Sequence, residues 1–245
     1  MSSEPTIRGG IIAAGEGRRL RQAGWRMPKP LVPVAGTPMI ERVIRNFLAA
    51  GISSLVIIIN ERDRECEQWI ASRFPSPDLH VIVKTTDSSL ESFLEVAGHL
   101  GSGRSLISTV DAWCPEETFL VFVNTALEFP EEAILLAVTP FVDDERPLWV
   151  SMNASGRITQ IGGDSGDVVT AGMYLVPARV RHVSPPPNVR SLRAFLGWLL
   201  DRGEAMYGVI LPVVVDVDRA ADIALAESLA HHENQVGQDR SRGAS

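Results

Sequence analysis

Short unbroken apolar runs alternate along this chain with longer stretches in which apolar residues recur every three or four positions. This is the pattern of buried strands alternating with amphipathic helices. Ile7 to Ala14 is the first strand. Thr37 and Pro38 open a helix, threonine as N-cap and proline at the first helical position. Ile40, Val43, Ile44, Phe47 and Leu48 form its buried face, and Gly51 stops it. Leu55 to Ile59 is apolar throughout, as a strand covered on both faces requires. A charged helix follows to Phe74 with Trp69 and Ile70 turned inward, and Val81 to Val83 is a short strand. Asp87 caps a helix built on Leu90, Phe93, Leu94 and Ala97, and Leu106 to Val110 is a strand ending on Asp111. This βαβαβαβ opening predicts an α/β domain whose parallel sheet carries functional loops at the carboxyl ends of its strands.

Beyond Asp111 the pattern is less regular. Thr118 to Phe129 reads as helix and Ile134 to Val138 as strand. Trp149 to Met152 pairs with Ile158 to Ile161 across Asn153-Ala-Ser-Gly156. Thr170 to Val176 is a strand, Ser184-Pro-Pro-Pro187 a link, and Leu192, Phe195, Leu196, Leu199 and Leu200 mark a helix. A last strand through Val213 to Val217 leads into a helix from Ala220. No repeat or long linker divides the chain, so one domain is expected over residues 9–233, between a tail at 1–8 and a polar tail at 234–245.

With 245 residues there is ample length for a packed core. The net charge of -7 argues against non-specific nucleic-acid binding, yet leaves room for a local basic pocket. Cys66 and Cys114 are too few and scattered for a disulfide framework or a zinc site. They read as buried packing residues of a cytoplasmic protein. No apolar run approaches the ~20 residues of a membrane span. The opening Met-Ser-Ser-Glu-Pro lacks the basic and apolar regions of a secretory leader. The expectation is a cytoplasmic protein without nucleic-acid or membrane partners.

The chemistry concentrates near the start, in Gly10-Ile-Ile-Ala-Ala-Gly-Glu-Gly-Arg-Arg-Leu20 followed by Pro28-Lys29-Pro30. Glycines let backbone N–H groups approach an anion, and the basic side chains neutralise it, so the segment reads as a phosphate site. A P-loop would need Gly-Lys-Ser/Thr where Arg18 and Arg19 follow Gly17, and a dinucleotide fingerprint a third glycine at Leu20. The segment instead resembles the signature of the sugar-phosphate nucleotidyltransferases, the NDP-sugar pyrophosphorylase family, in a short single-domain form. Val32-Pro-Val-Ala-Gly-Thr-Pro-Met-Ile-Glu41, Ser108-Thr-Val-Asp111, Ala171-Gly-Met-Tyr174 and Val215-Asp-Val-Asp-Arg-Ala-Ala-Asp222 extend the resemblance in order along the chain.

The resemblance implies a Rossmann-like, mixed but mostly parallel central sheet with helices on both faces. It also implies Mg²⁺-dependent transfer of a nucleoside monophosphate from an NTP to a phosphorylated small molecule, a sugar 1-phosphate first among them, with release of pyrophosphate. By the same resemblance Ala13, Ala14, Gly15 and Gly17 line the nucleotide, and Arg19 grips the β- or γ-phosphate. Lys29 bridges the α-phosphate and the incoming phosphate, and Asp111 and Asp218 hold the ion. Arg18 is either a further contact or a solvated neighbour. Asp216 shares a strand face with Asp218, so either could be the second ligand. Asp222 reads as a first-turn residue of the last helix. A homodimer is one open assembly.

Two departures from the family pattern stand out. Its Glu-Lys-Pro, whose lysine meets the sugar's phosphate, is replaced by Ile161-Gly-Gly-Asp-Ser-Gly166, with Arg157 or Arg190 as substitutes to be weighed. Thr85-Thr-Asp-Ser-Ser-Leu-Glu91 occupies the base-recognition region without the usual Gly-Thr. Molybdenum-cofactor, phosphocholine or inositol-phosphate types of nucleotidyltransferase, and a non-catalytic nucleotide-binding regulator, therefore stay open. His231 and His232 are adjacent on a helix, do not share a face and make no metal pair.

Overall fold

In the computed structural model, residues 7–143 and 145–230 are described. The chain opens with β1 (Arg8–Ala13), a short α1 (Arg18–Gln22), a 3₁₀ turn at Lys29–Leu31 and a two-residue hairpin, β2 (Pro33–Val34) and β3 (Thr37–Pro38). Then come α2 (Met39–Ala49), β4 (Leu55–Ile59), α3 (Arg64–Arg73), β5 (Leu79–Val83), α4 (Ser89–Gly98), β6 (Ser105–Thr109) and β7 (Ala112–Trp113). The second half holds α5 (Glu116–Leu127), β8 (Ile134–Thr139), β9 (Trp149–Met152), β10 (Ile158–Ile161) and β11 (Val168–Val176). It ends with α6 (Leu192–Asp201), β12 (Met206–Ile210), β13 (Val215–Asp216) and α7 over residues 220–230.

The main sheet runs β10-β9-β11-β6-β1-β4-β5, with β8 beside β11 and β12 beside β8. β5, β4, β1 and β6 are parallel, as are β8 and β12, whereas β11 is antiparallel to β6, β8 and β9. The sheet is therefore mixed but mostly parallel around β1, and alternation along its strands feeds two cores. Ile11, Ala13, Ile57 and Ile59 face one side, with Phe47 of α2, Ile70 of α3, Phe122 of α5 and Ile223 of α7. Ile12, Ala14, Val56 and Ile58 face the other, with Phe93 of α4 and Phe195 of α6. Two opposite faces both buried is why these runs are apolar without a break. Phe47 is fully buried with its ring 5.1 Å from that of Phe119, and truncating such a side chain costs about 3–5 kcal/mol.

Several local expectations shift. Thr37 does not cap α2: its backbone pairs with Val34 across Ala35-Gly36, and the helix starts at Met39 after Pro38. Ser88, not Asp87, caps α4, its side chain accepting from the Glu91 N–H at 3.1 Å. α5 begins two residues earlier than the periodicity indicates. The run Val213 to Val217 supplies only β13, which pairs with β7 outside the main sheet; the sheet takes β12 instead. Residues 1–6, His231-His232, the tail at 234–245 and Asp144 of the turn at 143–145 lie outside the described residues.

Candidate active site

β1 delivers the chain to the glycine turn at its carboxyl end. Gly17 sits at φ 60°, ψ 34° before α1, and a Cβ there would stand 2.8 Å from Lys29 Cβ. Only glycine suits both the left-handed backbone and the close approach of the lysine stem. Lys29 opens its 3₁₀ turn between Pro28 and Pro30, and 6% of its surface remains exposed.

Asp111 follows β6, the neighbour of β1. The β7–β13 ribbon brings the distant acidic segment to it: Asp216 pairs with Ala112, and the Val217 N–H donates to the Asp111 carbonyl at 3.0 Å. Asp222 then fixes the turn, accepting from the Asp218 N–H at 2.9 Å and the Arg219 N–H at 2.6 Å. It also pairs with the Arg219 guanidinium at 2.9 Å. From the first turn of α7, Asp222 thus reaches back to the backbone N–H groups just before the helix, in keeping with its reading as a first-turn residue.

The outcome is a carboxylate cluster in which oxygens of Asp111, Asp216 and Asp218 all lie within 4.8 Å of one another. Lys29 Nζ donates to Asp111 Oδ2 at 2.6 Å and also to Asp218 Oδ1. Arg19 Nη1 donates to Asp218 Oδ2 at 3.0 Å. Burial alone would make Lys29 less basic, but the Asp111 and Asp218 carboxylates outweigh it and raise its pKa above the ordinary lysine range. Burial would likewise raise Asp111; the Lys29 charge prevails and holds that carboxyl below its usual range.

Two cavities flank the cluster. The larger, about 640 Å³, has Gly15, Gly17, Arg19 and Lys29 on one wall and Thr85, Asp87, Ser88 and Ser92 on the other. The smaller, about 200 Å³, is bounded by Thr139, Phe141, Thr170, Tyr174, Arg193 and Asp216 among others. Ser89, Thr109 and Asp111 line both. Gly172 makes the second one: at φ 70° β11 shifts register against β8, and a Cβ would stand 2.6 Å from Thr109 Oγ1. Tyr174 is thereby set in that cavity, its hydroxyl made less acidic by burial and then by Asp111 and Asp216.

Of the residues singled out from sequence, Ala14, Gly15, Gly17, Arg18, Arg19, Lys29, Asp111 and Asp218 line the larger cavity. Ala13 does not; its side chain belongs to the core beneath. The side chain of Arg18 is 79% exposed and pairs with Glu16, as a solvated neighbour would. Arg157 and Arg190 reach neither cavity: Arg157 bridges to Tyr207, and Arg190 donates to the Pro187 carbonyl beside a groove along α4. Two residues not singled out from sequence stand close by: Arg193 lines the smaller cavity, and Asn60 supports the glycine turn from beneath. Asn60 Nδ2 holds the Ala14 carbonyl at 3.1 Å, and its Oδ1 accepts from the Arg62 N–H at 3.1 Å. Its only signal in the sequence was a polar residue directly after an unbroken apolar strand.

The fold and site thus combine a Rossmann-like sheet, a glycine-and-arginine turn and a carboxylate cluster at one sheet edge. A family model described as the MobA-like NTP transferase domain matches residues 9–175, and the chain belongs to that family. It is 28% identical over 239 residues to the "Bifunctional IPC transferase and DIPP synthase" of Rubrobacter xylanophilus, covering 89% of this chain and 51% of that one. It is 28% identical over 130 residues to a "Mannose-1-phosphate guanyltransferase" of Gibberella zeae, covering 53% of this chain and 33% of the relative. The chain thus spans about half the length, or less, of these curated relatives. Among solved structures, the inositol-1-phosphate CTP transferase from T. maritima superposes with a TM-score of 0.75 at 20% identity, over 90% of this chain and 93% of that one. No helix among the described residues is long and apolar enough to cross a membrane.

Proposed function

We propose that this protein transfers a nucleoside monophosphate from an NTP to a phosphorylated small molecule, with sugar 1-phosphates as the leading acceptor class, and releases pyrophosphate. The observation that carries this reading is the meeting of the two cavities at Asp111: a larger cleft walled by a glycine turn and the cations Arg18, Arg19 and Lys29, and a smaller one behind the carboxylates. Two reactants in those cavities would bring their phosphates together at one point, and positioning of that kind is most of what an in-line phosphoryl displacement asks of a protein.

The triphosphate lies along Gly15 and Gly17, whose lack of side chains opens the turn to its oxygens. Arg19 grips the departing phosphates with its planar fork. Lys29 offers a point charge to the α-phosphate. An acceptor phosphate oxygen forms a bond to the α-phosphorus while the bond to the bridging oxygen of pyrophosphate breaks, that oxygen leaving with the electron pair. The all-oxygen donor set of Asp111, Asp216 and Asp218, into which the Lys29 ammonium already fits, suits Mg²⁺. When bound, Mg²⁺ would supply neutralisation of the charge that gathers on the transferred phosphate.

At the acceptor end, Arg193 is the one cation among the residues lining the smaller cavity. It stands at the start of α6 behind the N-cap Ser191, where the helix dipole adds to its charge. It takes the part of the lysine missing from Ile161-Gly-Gly-Asp164. Its guanidinium also donates to the Arg146 carbonyl, which ties α6 to the approach to β9. The test is pyrophosphate release with Mg²⁺, each common NTP and a panel of phosphorylated sugars and alcohols. One NTP–acceptor pair should react and Asp111→Ala should abolish the reaction. Silence from every pair with NTP binding intact would favour the non-catalytic regulator.

A further inference from the structure

In this protein the cations and carboxylates of the site are paired with one another. Lys29 Nζ contacts both Asp111, at 2.6 Å, and Asp218, and Arg19 engages the second oxygen of Asp218 at 3.0 Å. Asp111 and Asp218 belong to the cluster with the chemistry to hold a divalent ion. A Mg²⁺ ion demands carboxylate oxygens at about 2.1 Å in near-ideal octahedral geometry, and the ammonium occupies the space between two of the same groups. Electrostatics points the same way. Lys29 and Arg19 offset the charge of Asp111 and Asp218, which weakens the attraction for an ion that gives up its water reluctantly.

The backbone around Lys29 has little freedom to withdraw it. Its Cβ lies against Gly17, with Pro28 before it and Pro30 after it. What can move is the methylene stem, once another anion stands in the cleft that Lys29 lines. We infer that Lys29 is an internal counter-ion occupying the divalent-cation position, so that the ion enters only with a polyphosphate that draws Lys29 off the aspartates. The identity of that polyphosphate rests on the nucleotidyl-transfer reading; the exchange itself does not. Ion and polyphosphate are then reciprocally linked, each raising the affinity of the other beyond their direct contact.

Lys29 and Lys84 are the only lysines in the chain, so wild-type protein labelled with ¹³Cε-lysine gives two side-chain signals, assigned with Lys84→Arg. Millimolar Mg²⁺ alone should leave the Lys29 signal in place, and Mg²⁺ with inorganic pyrophosphate should shift it. A shift with Mg²⁺ alone, or none with both, overturns the inference. In a second experiment Mn²⁺ is titrated without phosphate and the free ion read by electron paramagnetic resonance. Lys29→Met should bind it about tenfold or more tighter than wild type, since a unit positive charge beside the carboxylates is gone. Equal or weaker binding by a folded variant overturns the inference; should the variant not fold, the lysine signals of the wild type decide. Neither readout needs turnover, so a failure of nucleotidyl transfer registers separately in the pyrophosphate assay.

Discussion

Alanine at Gly17 and at Gly15 should separate the fold from the phosphate site within one turn. At Gly17 the backbone is left-handed, φ 60°, and the new Cβ would come 2.8 Å from Lys29 Cβ. That neighbour is the root of a side chain held between prolines, not the free end of a flexible one, so the backbone itself must shift. The left-handed conformation and the forced contact together cost roughly 2–4 kcal/mol. For a chain of this size that lowers Tm by roughly 5–15 °C. At Gly15 no atom lies within 4 Å of an added Cβ and φ is not left-handed, so stability should stay within about 0.5 kcal/mol of wild type. The methyl group enters the larger cavity, however, and there it should raise the KM for NTP. Thermal melts of both variants, followed by pyrophosphate release against NTP concentration, make the comparison. A Gly17→Ala protein melting with wild type, or a Gly15→Ala protein losing as much stability, would refute the reasoning.

Further outcomes follow from the same contacts. Asp222→Ala strips two backbone N–H groups and Arg219 of their buried acceptor, and should cost about 2–4 kcal/mol in urea denaturation; an unchanged midpoint would contradict the capping role. Asp111 is held below its ordinary pKa of 3.8, so its contribution to stability is full above that value and lost as pH falls through the depressed one. Lys29, raised above 10.5, contributes fully below that value and loses its share only as pH rises through its raised one. Urea midpoints at about pH 7 and about pH 3 should therefore fall less for Asp111→Asn than for wild type, and an equal fall would refute the assignment. Arg193→Gln should raise the KM of the acceptor found in the panel about tenfold or more while that of the NTP stays within about twofold; matching changes in both would remove Arg193 from the acceptor end.

Local pattern was enough for much of this. Strands such as Leu55–Ile59 are apolar at every position because both faces are covered, and that alone implies a sheet between two layers of helices. Gly17 beside Arg19, with Lys29 between prolines, carries its chemistry in the residue types themselves, and Asp111 could be placed because it directly follows an apolar strand. The two-residue spacing of Asp216 and Asp218 left the choice between them open, and both join the cluster.

The rest depends on contacts between segments far apart in the chain, which no local period encodes. Whether Val213 to Val217 lies in the main sheet or in a ribbon with Ala112 and Trp113 is decided by which partner strand offers a free edge, and the answer sets the acidic segment beside Asp111. Arg193 lines the smaller cavity from the first turn of α6, whereas Arg157 lies in a bridge to Tyr207 before β10 and Arg190 in the loop ahead of α6, so place in the fold, not charge, decides which one reaches it. Ala13 and Ala14 are adjacent and chemically alike, yet alternation sends them into opposite cores, and only Ala14 also borders the cleft. Sequence thus named the candidate residues for phosphate chemistry; tertiary structure alone decided which of them meet, because ion pairing and close approach act through space.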